Sequence, residues 1–127
     1  MVKLLIVDHH ALVREALERR LSTAVGMEIV GSTGSYEDAL RTAIAFTPDV
    51  VLLETKARDG LETLRTLSQL LTDSAIIVLT SYPDSREEDE VRELGAARYL
   101  LKTLDTRTLI SEIRTAARCV TGALPAI

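Results

Sequence analysis

Polar side chains that can do chemistry follow directly after apolar runs of the chain. Asp8 and His9 come after "KLLIV", Glu54 after "VVLL", and Lys102 after "RYLL", while Thr80 closes "AIIVLT". If these runs are parallel strands, their carboxyl ends meet at one edge of a sheet, where open α/β domains place their ligand sites. Glu54 is then either a working catalytic carboxylate or the trace of one that has been lost.

The same region also has the residue types of a metal site. His9 and His10 are adjacent, and together with Glu54 they offer two imidazoles and a carboxylate, a donor set that suits zinc or iron. Successive side chains at the end of a strand usually point apart, however. The pattern therefore favours a role for His10 at the start of the following helix over a transition-metal site.

Five short apolar runs, separated by segments with helical spacing, must position these residues. The runs are rich in Val, Ile and Leu and lack polar alternation, which is typical of strands buried on both faces of a parallel sheet. They are "KLLIVD", "MEIVGS", "DVVLLE", "AIIVLTS" and the shorter "ARYLLK". Because right-handed crossovers place helices on both faces of such a sheet, the sequence predicts a doubly wound α/β domain with five parallel strands.

Three of the predicted helix starts carry a capping signature, in which a side-chain cap is followed one turn later by an acid. The pairs are Ser35 and Asp38, Asp59 and Glu62, and Ser85 and Glu88. We expect Ser35, Asp59 and Ser85 to be the capping residues of the second, third and fourth helices.

The order of these groups resembles the receiver domain of two-component response regulators, most closely its LuxR/NarL-type subfamily. The resemblance covers nearly the whole chain and is strongest in "LLIVDHHALVREAL", "PDVVLLE…DGLE", "IIVLTSY" and "LGAARYLLKT". It implies a flavodoxin-like (βα)5 fold with strand order 2-1-3-4-5, extending over residues 1–121. It also implies a regulatory domain rather than an enzyme.

In that family, an aspartate after strand three accepts a phosphoryl group from a histidine kinase, and two acids after strand one hold Mg²⁺. By resemblance, Asp8 is the first of these acids, and Thr80 and Lys102 contact the phosphoryl oxygens. Tyr99 occupies the aromatic position that moves with the threonine when the domain switches. Phosphoryl transfer depends mainly on positioning and on neutralising charge on the transferred oxygens, so each position has a definite chemical task.

Three departures from the family pattern weaken that reaction. His9 replaces the second acid, which removes charge and an oxygen ligand from a site that should hold Mg²⁺. Glu54 replaces the phosphoacceptor aspartate, and its extra methylene displaces the attacking oxygen by on the order of 1 Å, a misplacement that can cost ~10²-fold in rate. The loop between Glu54 and Asp59 is also two residues shorter than the family's usual loop and lacks its proline.

The sequence therefore predicts an atypical, pseudo-receiver domain. Glu54 is the phosphoacceptor-equivalent position, and Asp8 and His9 are positions of a degenerate metal site. We expect no efficient phosphorylation, no metal cofactor, and weak Mg²⁺ binding if any. Two interpretations of Glu54 stay open: a permanent negative charge that pairs with Lys102 and mimics the activated state, or an ion-paired acid at the end of a strand in a disused site.

Composition narrows the possible partners. The net charge of −4 and the absence of a long Lys/Arg run give no basic field for nucleic acid, and Cys119 is the only cysteine. That single cysteine excludes an internal disulfide, and "MVKLLIVDHH" is too short and too soon acidic for a signal peptide, so we expect a cytoplasmic protein. No apolar run approaches the ~20 residues needed to span a bilayer, so we expect no membrane contact. No nucleophile–base pair that would indicate a hydrolytic enzyme is evident.

The last residues, 122–127, carry Gly122 and Pro125 and have the pattern of a helix exit followed by a linker. By resemblance, such a linker leads to a helix-turn-helix domain, which is absent from this chain, so DNA would be contacted only through that domain. We expect a homodimer, formed through helices one and five or through the face of helices four and five. A cognate sensor kinase or a small-molecule effector is the expected input, and a small-molecule-sensing or stand-alone interaction module is the alternative function.

Overall fold

The structure, a computed structural model, describes residues 1–121, and in this range five strands alternate with five helices. The strands are β1 (Val2–Val7), β2 (Met27–Thr33), β3 (Val50–Leu53), β4 (Ala75–Thr80) and β5 (Arg98–Leu101). The helices are α1 (Ala11–Ser22), α2 (Tyr36–Phe46), α3 (Gly60–Leu70), α4 (Ser85–Glu93) and α5 (Thr106–Thr121). The predicted linker, residues 122–127, lies outside the described residues. Within residues 1–121, no helix is both long and apolar enough to cross a bilayer.

All five strands form one parallel sheet in the order β2-β1-β3-β4-β5. This confirms the predicted doubly wound, five-stranded sheet and its strand order. After β2 the chain crosses to the other side of β1 and adds β3, β4 and β5 there, so the strand order reverses between β1 and β3. At this point Val7 is paired with Leu53. Consequently the residues that follow these two strands, Asp8 and Glu54, leave the sheet at the same level.

The hydrophobic core lies on both faces of the sheet, which explains why the strands show no polar alternation. On one face, strand residues such as Ile6 and Ile77 pack with Leu17 and Leu21 of α1 and with Ile113 of α5. On the other face, the neighbouring strand residues pack with buried side chains of α2, α3 and α4; these helix residues are Ala39, Ala43, Leu64, Leu67 and Val91. Each fully buried Leu or Ile side chain stabilises the fold by about 1.5–3 kcal/mol.

Only one of the three predicted helix caps is confirmed. The Ser35 hydroxyl accepts a hydrogen bond from the Asp38 amide at 3.2 Å, as expected. The prediction for α4 is wrong by one residue, because Asp84 accepts from the Arg86 amide at 3.0 Å and Ser85 is the first helical residue. The prediction for α3 is also wrong, since Asp59 has a φ of 69° and makes no side-chain cap, whereas a capping residue normally adopts extended backbone.

Helix α3 offers a direct test of this packing, because it carries one leucine inside the core and one outside. The Leu64 side chain is 0% exposed and that of Leu70 is 53% exposed. We expect Leu64→Ala to lower the free energy of unfolding by about 2–5 kcal/mol, and the control Leu70→Ala to change it by about 0.5 kcal/mol or less. Urea unfolding measures both; equal effects of the two substitutions would contradict the described orientation of α3.

Candidate functional site

The predicted site residues lie at the carboxyl edge of the sheet. The Glu54 amide donates to the Val7 carbonyl at 3.0 Å, which sets Glu54 beside Asp8, and the Lys102 amide donates to the Thr80 carbonyl at 2.9 Å. The side chains of Asp8, His9, Glu54 and Lys102 then pair with one another in two separate contacts. The hydroxyls of Thr80 and Tyr99 make their hydrogen bonds elsewhere.

Asp8 forms a buried ion pair with the lysine of the site. Its Oδ2 lies 2.7 Å from Lys102 Nζ, and the two side chains are 2% and 9% exposed. Its Oδ1 accepts a hydrogen bond from the His10 amide at 2.9 Å, and Arg14 Nη1 donates to its backbone carbonyl at 2.7 Å. A charge removed from water needs compensation of this kind, because the effective desolvation penalty is several kcal/mol per ion.

Glu54 is as deeply buried as Asp8, with 3% exposure, but its partners are different. Its Oε1 contacts His9 Nδ1, while its Oε2 accepts hydrogen bonds from the backbone amides of Lys56 and, at 3.1 Å, Ala57. Both oxygens of the carboxylate are thus held by neighbours. The pairing of Glu54 with Lys102 that one interpretation of the sequence required is not formed, because the ammonium group of Lys102 contacts Asp8 instead.

A tyrosine from α2 fixes the backbone at the same point. The Tyr36 hydroxyl donates to the Glu54 carbonyl at 2.7 Å. Burial of the ring, followed by the negative charge of Glu54, raises the pKa of the Tyr36 phenol far above its ordinary value. The phenol therefore stays protonated and acts as a donor throughout the physiological pH range.

The short loop between β3 and α3 folds tightly enough to turn its own amides toward Glu54. A Cβ atom at Gly60 would clash with the carbonyl group of Thr55, so only glycine fits where the loop meets the helix. The Gly60 amide donates to the Ala57 carbonyl at 3.0 Å, and the Thr63 hydroxyl donates to the Asp59 carbonyl at 2.8 Å. The loop thus forms a compact turn around the Glu54 carboxylate.

Tyr99, the predicted switch position, is connected to this loop through α4. Its hydroxyl donates to Glu87 Oε1 at 2.6 Å and accepts from the Asp84 amide at 3.1 Å. The other oxygen of Glu87 lies 2.9 Å from Lys56 Nζ. Burial, and then the hydrogen bond to Glu87, raise the pKa of the Tyr99 phenol. Glu87 therefore bridges the loop next to Glu54 and Tyr99 on β5.

The second predicted switch residue, Thr80, points into its own turn. Its Oγ1 accepts a hydrogen bond from the Tyr82 amide at 3.2 Å, and the Thr80 side chain is 1% exposed. The structure therefore brings the acids, the histidine and the lysine into contact, whereas the hydroxyls of Thr80 and Tyr99 form hydrogen bonds with other partners.

Four further residues that shape the site are not indicated by the sequence pattern: Arg14, Tyr36, Lys56 and Glu87. Glu87 belongs to an acidic segment, Asp84–Glu93, whose composition does not indicate which of its acids turns toward the site. Lys56 lies in the β3–α3 loop, which by resemblance was expected to be shorter than the family's usual loop. An acidic side chain often accepts a hydrogen bond from the backbone amide two residues later, and the Lys56 amide stands in that position relative to Glu54.

The donor atoms at this edge are a poor match for Mg²⁺. One ligand atom each from Asp8, His9 and Glu54 lies within 4.8 Å of the others. Mg²⁺ demands near-octahedral coordination by oxygen, usually keeping several waters, whereas this set contains an imidazole, and Lys102 neutralises one oxygen of Asp8. The arrangement does not supply the oxygen-only site on which magnesium-dependent phosphoryl transfer depends.

Comparison with known proteins identifies the domain. The family model described as "Response regulator receiver domain" matches residues 4–114. The chain belongs to this family. The Transcriptional regulatory protein LiaR of Bacillus subtilis is 33% identical over 93% of the chain, and the Response regulator GacA of Pseudomonas aeruginosa is 34% identical over 90%.

Solved receiver structures show the same fold. The signal receiver domain of the putative response regulator NarL from Mycobacterium tuberculosis has a TM-score of 0.85 at 24% identity, with 92% of this chain and 96% of that chain covered. A two-component response regulator of the LuxR family from Aurantimonas sp. SI85-9A1 has a TM-score of 0.86 at 25% identity, with 94% and 86% covered. These findings confirm the LuxR/NarL-type resemblance for this domain.

The chain spans only about half the length of the curated relatives it matches, 57% of LiaR and 54% of GacA. The remaining part of LiaR and of GacA is not aligned with this chain.

The ion pair at the base of the site makes the first testable prediction about the site itself. Lys102→Met leaves the buried Asp8 carboxylate without its cation, and we expect the free energy of unfolding to fall by about 3–5 kcal/mol. In the double variant Asp8→Asn with Lys102→Met the charge is gone as well, and most of the loss should be recovered. Urea unfolding of the single and double variants tests this. A double variant less stable than the single one would contradict the pairing.

A second prediction concerns the contact between Glu87 and Tyr99. In Glu87→Gln the negative charge is removed, so we expect the pKa of the Tyr99 phenol to fall, while the burial of the ring keeps it above the ordinary value of 10.0. Ultraviolet absorbance of tyrosinate during a pH titration gives the value, and Tyr99→Phe identifies which transition belongs to this residue. Glu88→Gln, on the same helix, is the control and should leave the transition in place.

Proposed function

We propose that this chain is the regulatory receiver module of a LuxR-type transcription regulator and that it works without phosphorylation of Glu54. The observation that carries the proposal is the state of the Glu54 carboxylate. One oxygen contacts His9, and the other accepts hydrogen bonds from two backbone amides of its own loop. A residue in this arrangement closes a turn and is not presented to an incoming phosphodonor.

The chemistry of phosphoryl transfer supports this proposal. The attacking oxygen must face the phosphorus atom, and cations must stand where charge builds up on the transferred oxygens. Here the attacking group is turned toward its own loop, and Lys102 neutralises Asp8 at 2.7 Å. Both contacts would have to break before an acyl phosphate could form, and Mg²⁺ binding would be weak with the donors present.

As a receiver, the domain is proposed to regulate rather than catalyse, by favouring one of two arrangements of its surface. The contacts that support a switch run from the Glu54 loop through Lys56 and Glu87 to Tyr99. Through these contacts, a conformational change near Glu54 would alter the positions of α4 and β5. The conformational change would then alter the formation of a homodimer through this face or through the face of α1 and α5.

The setting of the module is proposed from its relatives. LiaR carries the name of a transcriptional regulatory protein, and this chain aligns with about half of it. We propose that DNA is contacted by a separate helix-turn-helix domain, in keeping with the net charge of −4 of this chain. The protein would act in the cytoplasm, with a cognate sensor kinase or a small-molecule effector as its input.

Incubation with acetyl phosphate and Mg²⁺, followed by intact-mass spectrometry, tests the proposal. We expect no mass increase corresponding to one phosphoryl group. The variant that combines His9→Asp with Glu54→Asp restores both missing acids, and we expect it to be labelled more strongly than the natural chain because the displaced oxygen and the missing metal ligand are both returned.

Stoichiometric labelling of the natural chain, abolished by Glu54→Gln, would show that Glu54 is a phosphoacceptor and would refute the proposal. Labelling that persists in Glu54→Gln lies at another residue and leaves the role of Glu54 as stated.

A further inference from the structure

A groove of about 600 Å³ lies between α5 and the segment that follows α1. Binding clefts for small organic molecules have about this size, roughly 300–1,000 Å³. The lining of the groove includes three arginines and no acidic residue. Asp8, Glu54 and Lys102 do not line it, so the groove is distinct from the site at the edge of the sheet.

Positive charge is concentrated at this groove. Arg107, Arg114 and Arg118 line it from one face of α5, because residues seven and four positions apart share a face of a helix. The last two of them are neighbours on the helix surface, where like charges destabilise a helix. The one acid of α5, Glu112, is paired with Arg98 at 3.1 Å. An anion in the groove would relieve the repulsion between the arginines.

Two of these arginines have donors for such an anion. Within residues 1–121, neither Arg107 nor Arg114 forms an ion pair with a carboxylate. Arg114 is oriented by its Nη2, which donates to the Val25 carbonyl at 2.5 Å. A guanidinium group has about five N–H donors in a planar fork, a geometry that matches the oxygens of a phosphate group. One anchored donor therefore positions the group and leaves others for a ligand.

Apolar side chains give the groove a second kind of surface. Val25 is 84% exposed, Ile110 is partly buried, and both line the groove. A flat ring can cover such side chains, and guanidinium groups also stack on aromatic rings. Charge and apolar surface together suit a molecule with phosphate groups at one end and a ring system at the other.

We propose that this groove binds a nucleoside diphosphate or an organic phosphate of the same build. The phosphate groups contact Arg107, Arg114 and Arg118. The ring system covers Val25 and Ile110. A diphosphate is favoured over a single carboxylate because several negative charges are needed to match three guanidinium groups.

Hydrogen bonds connect the groove to the lysine of the site. Thr106 lines the groove, and its Oγ1 accepts from Arg20 Nε at 2.9 Å. Arg20 Nη1 donates to the Lys102 carbonyl at 3.1 Å, and its Nη2 donates to the Leu104 carbonyl. The ammonium group of the same lysine pairs with Asp8. A ligand that moves Thr106 therefore changes the hydrogen bonds that hold the segment carrying Lys102.

This inference deepens the proposed function, and it rests on that function for the idea that a small-molecule effector is the input. It names the chemical class of the effector and the groove that receives it.

Isothermal titration of the chain with ADP, without divalent ions, tests the groove. We expect one ADP per chain and no binding of uncharged adenosine at up to about 1 mM. Inorganic pyrophosphate should bind at least about 10-fold more weakly than ADP, because it lacks the ring system. Arg107→Gln and Arg114→Gln should each weaken ADP binding by about 10-fold, since each removes charge-assisted hydrogen bonds.

Arg65→Gln is the matched control, because Arg65 is an exposed arginine of α3 that does not line the groove. We expect it to change the affinity for ADP by less than about twofold. Val25→Ser, at an exposed position, should weaken ADP binding by about threefold and leave pyrophosphate binding unchanged. Circular dichroism establishes that each variant is folded.

Nitrogen-15 spectra test the connection to the site. In the natural chain, ADP should shift the backbone amide signals of both Thr106 and Lys102. In Arg20→Gln, ADP should still shift the Thr106 signal, while the shift of the Lys102 signal is lost. A Lys102 shift that persists in this variant would overturn the connection through Arg20.

The groove is overturned as a phosphate site if ADP does not bind at up to about 1 mM, or if adenosine binds as tightly as ADP. It is also overturned if Arg65→Gln weakens binding as much as Arg107→Gln and Arg114→Gln do. Any of these results leaves the proposed function in place, because phosphoryl labelling of Glu54 by acetyl phosphate is measured without nucleotide. Labelling of Glu54 would in turn refute the proposed function without affecting the binding of ADP.

Discussion

Two carboxylates buried side by side constrain everything else at this edge of the sheet. The register between β1 and β3 places Asp8 and Glu54 at the same level, and each is almost fully removed from water. Two like charges at such a place would be strongly unfavourable without partners of opposite charge or hydrogen-bond donors. The fold supplies them from four directions: an ammonium group that follows β5, an imidazole that follows β1, the backbone amide of His10 just before α1, and backbone amides of the β3–α3 loop.

The fold and the position of the site could be predicted from the sequence, because both follow from patterns that do not depend on small distances. Uninterrupted apolar runs indicate strands buried on both faces, and the ends of parallel strands indicate where a site forms. The pairing within the site could not be predicted. Asp8, Glu54 and Lys102 all follow strands at the same edge of the sheet, and the sequence does not show which of the two acids the ammonium group contacts. The loop amides capture Glu54, which leaves the ammonium group to Asp8.

The helix caps show the same limit at a smaller scale. Asp84 and Ser85 are both good capping residues and are adjacent, so the sequence pattern is satisfied by either, and a shift of one residue decides between them. At α3, the backbone of Asp59 takes up the left-handed conformation needed to join a short loop to the helix, which removes its side chain from the capping position. Where local geometry is set by the length of a connection, the residue type alone does not determine the role.

Lys56 has a double attachment whose consequence reaches beyond the site. Its amide closes on Glu54, while its ammonium group lies 2.9 Å from Glu87 on α4. A single residue thus ties the sheet edge to a helix that has only one fully buried side chain, Val91. A half-exposed ion pair of this kind contributes up to about 1 kcal/mol, which is enough to change the ratio of two surface arrangements about fivefold. At this point α4 is therefore held to the Glu54 loop by a weak polar contact.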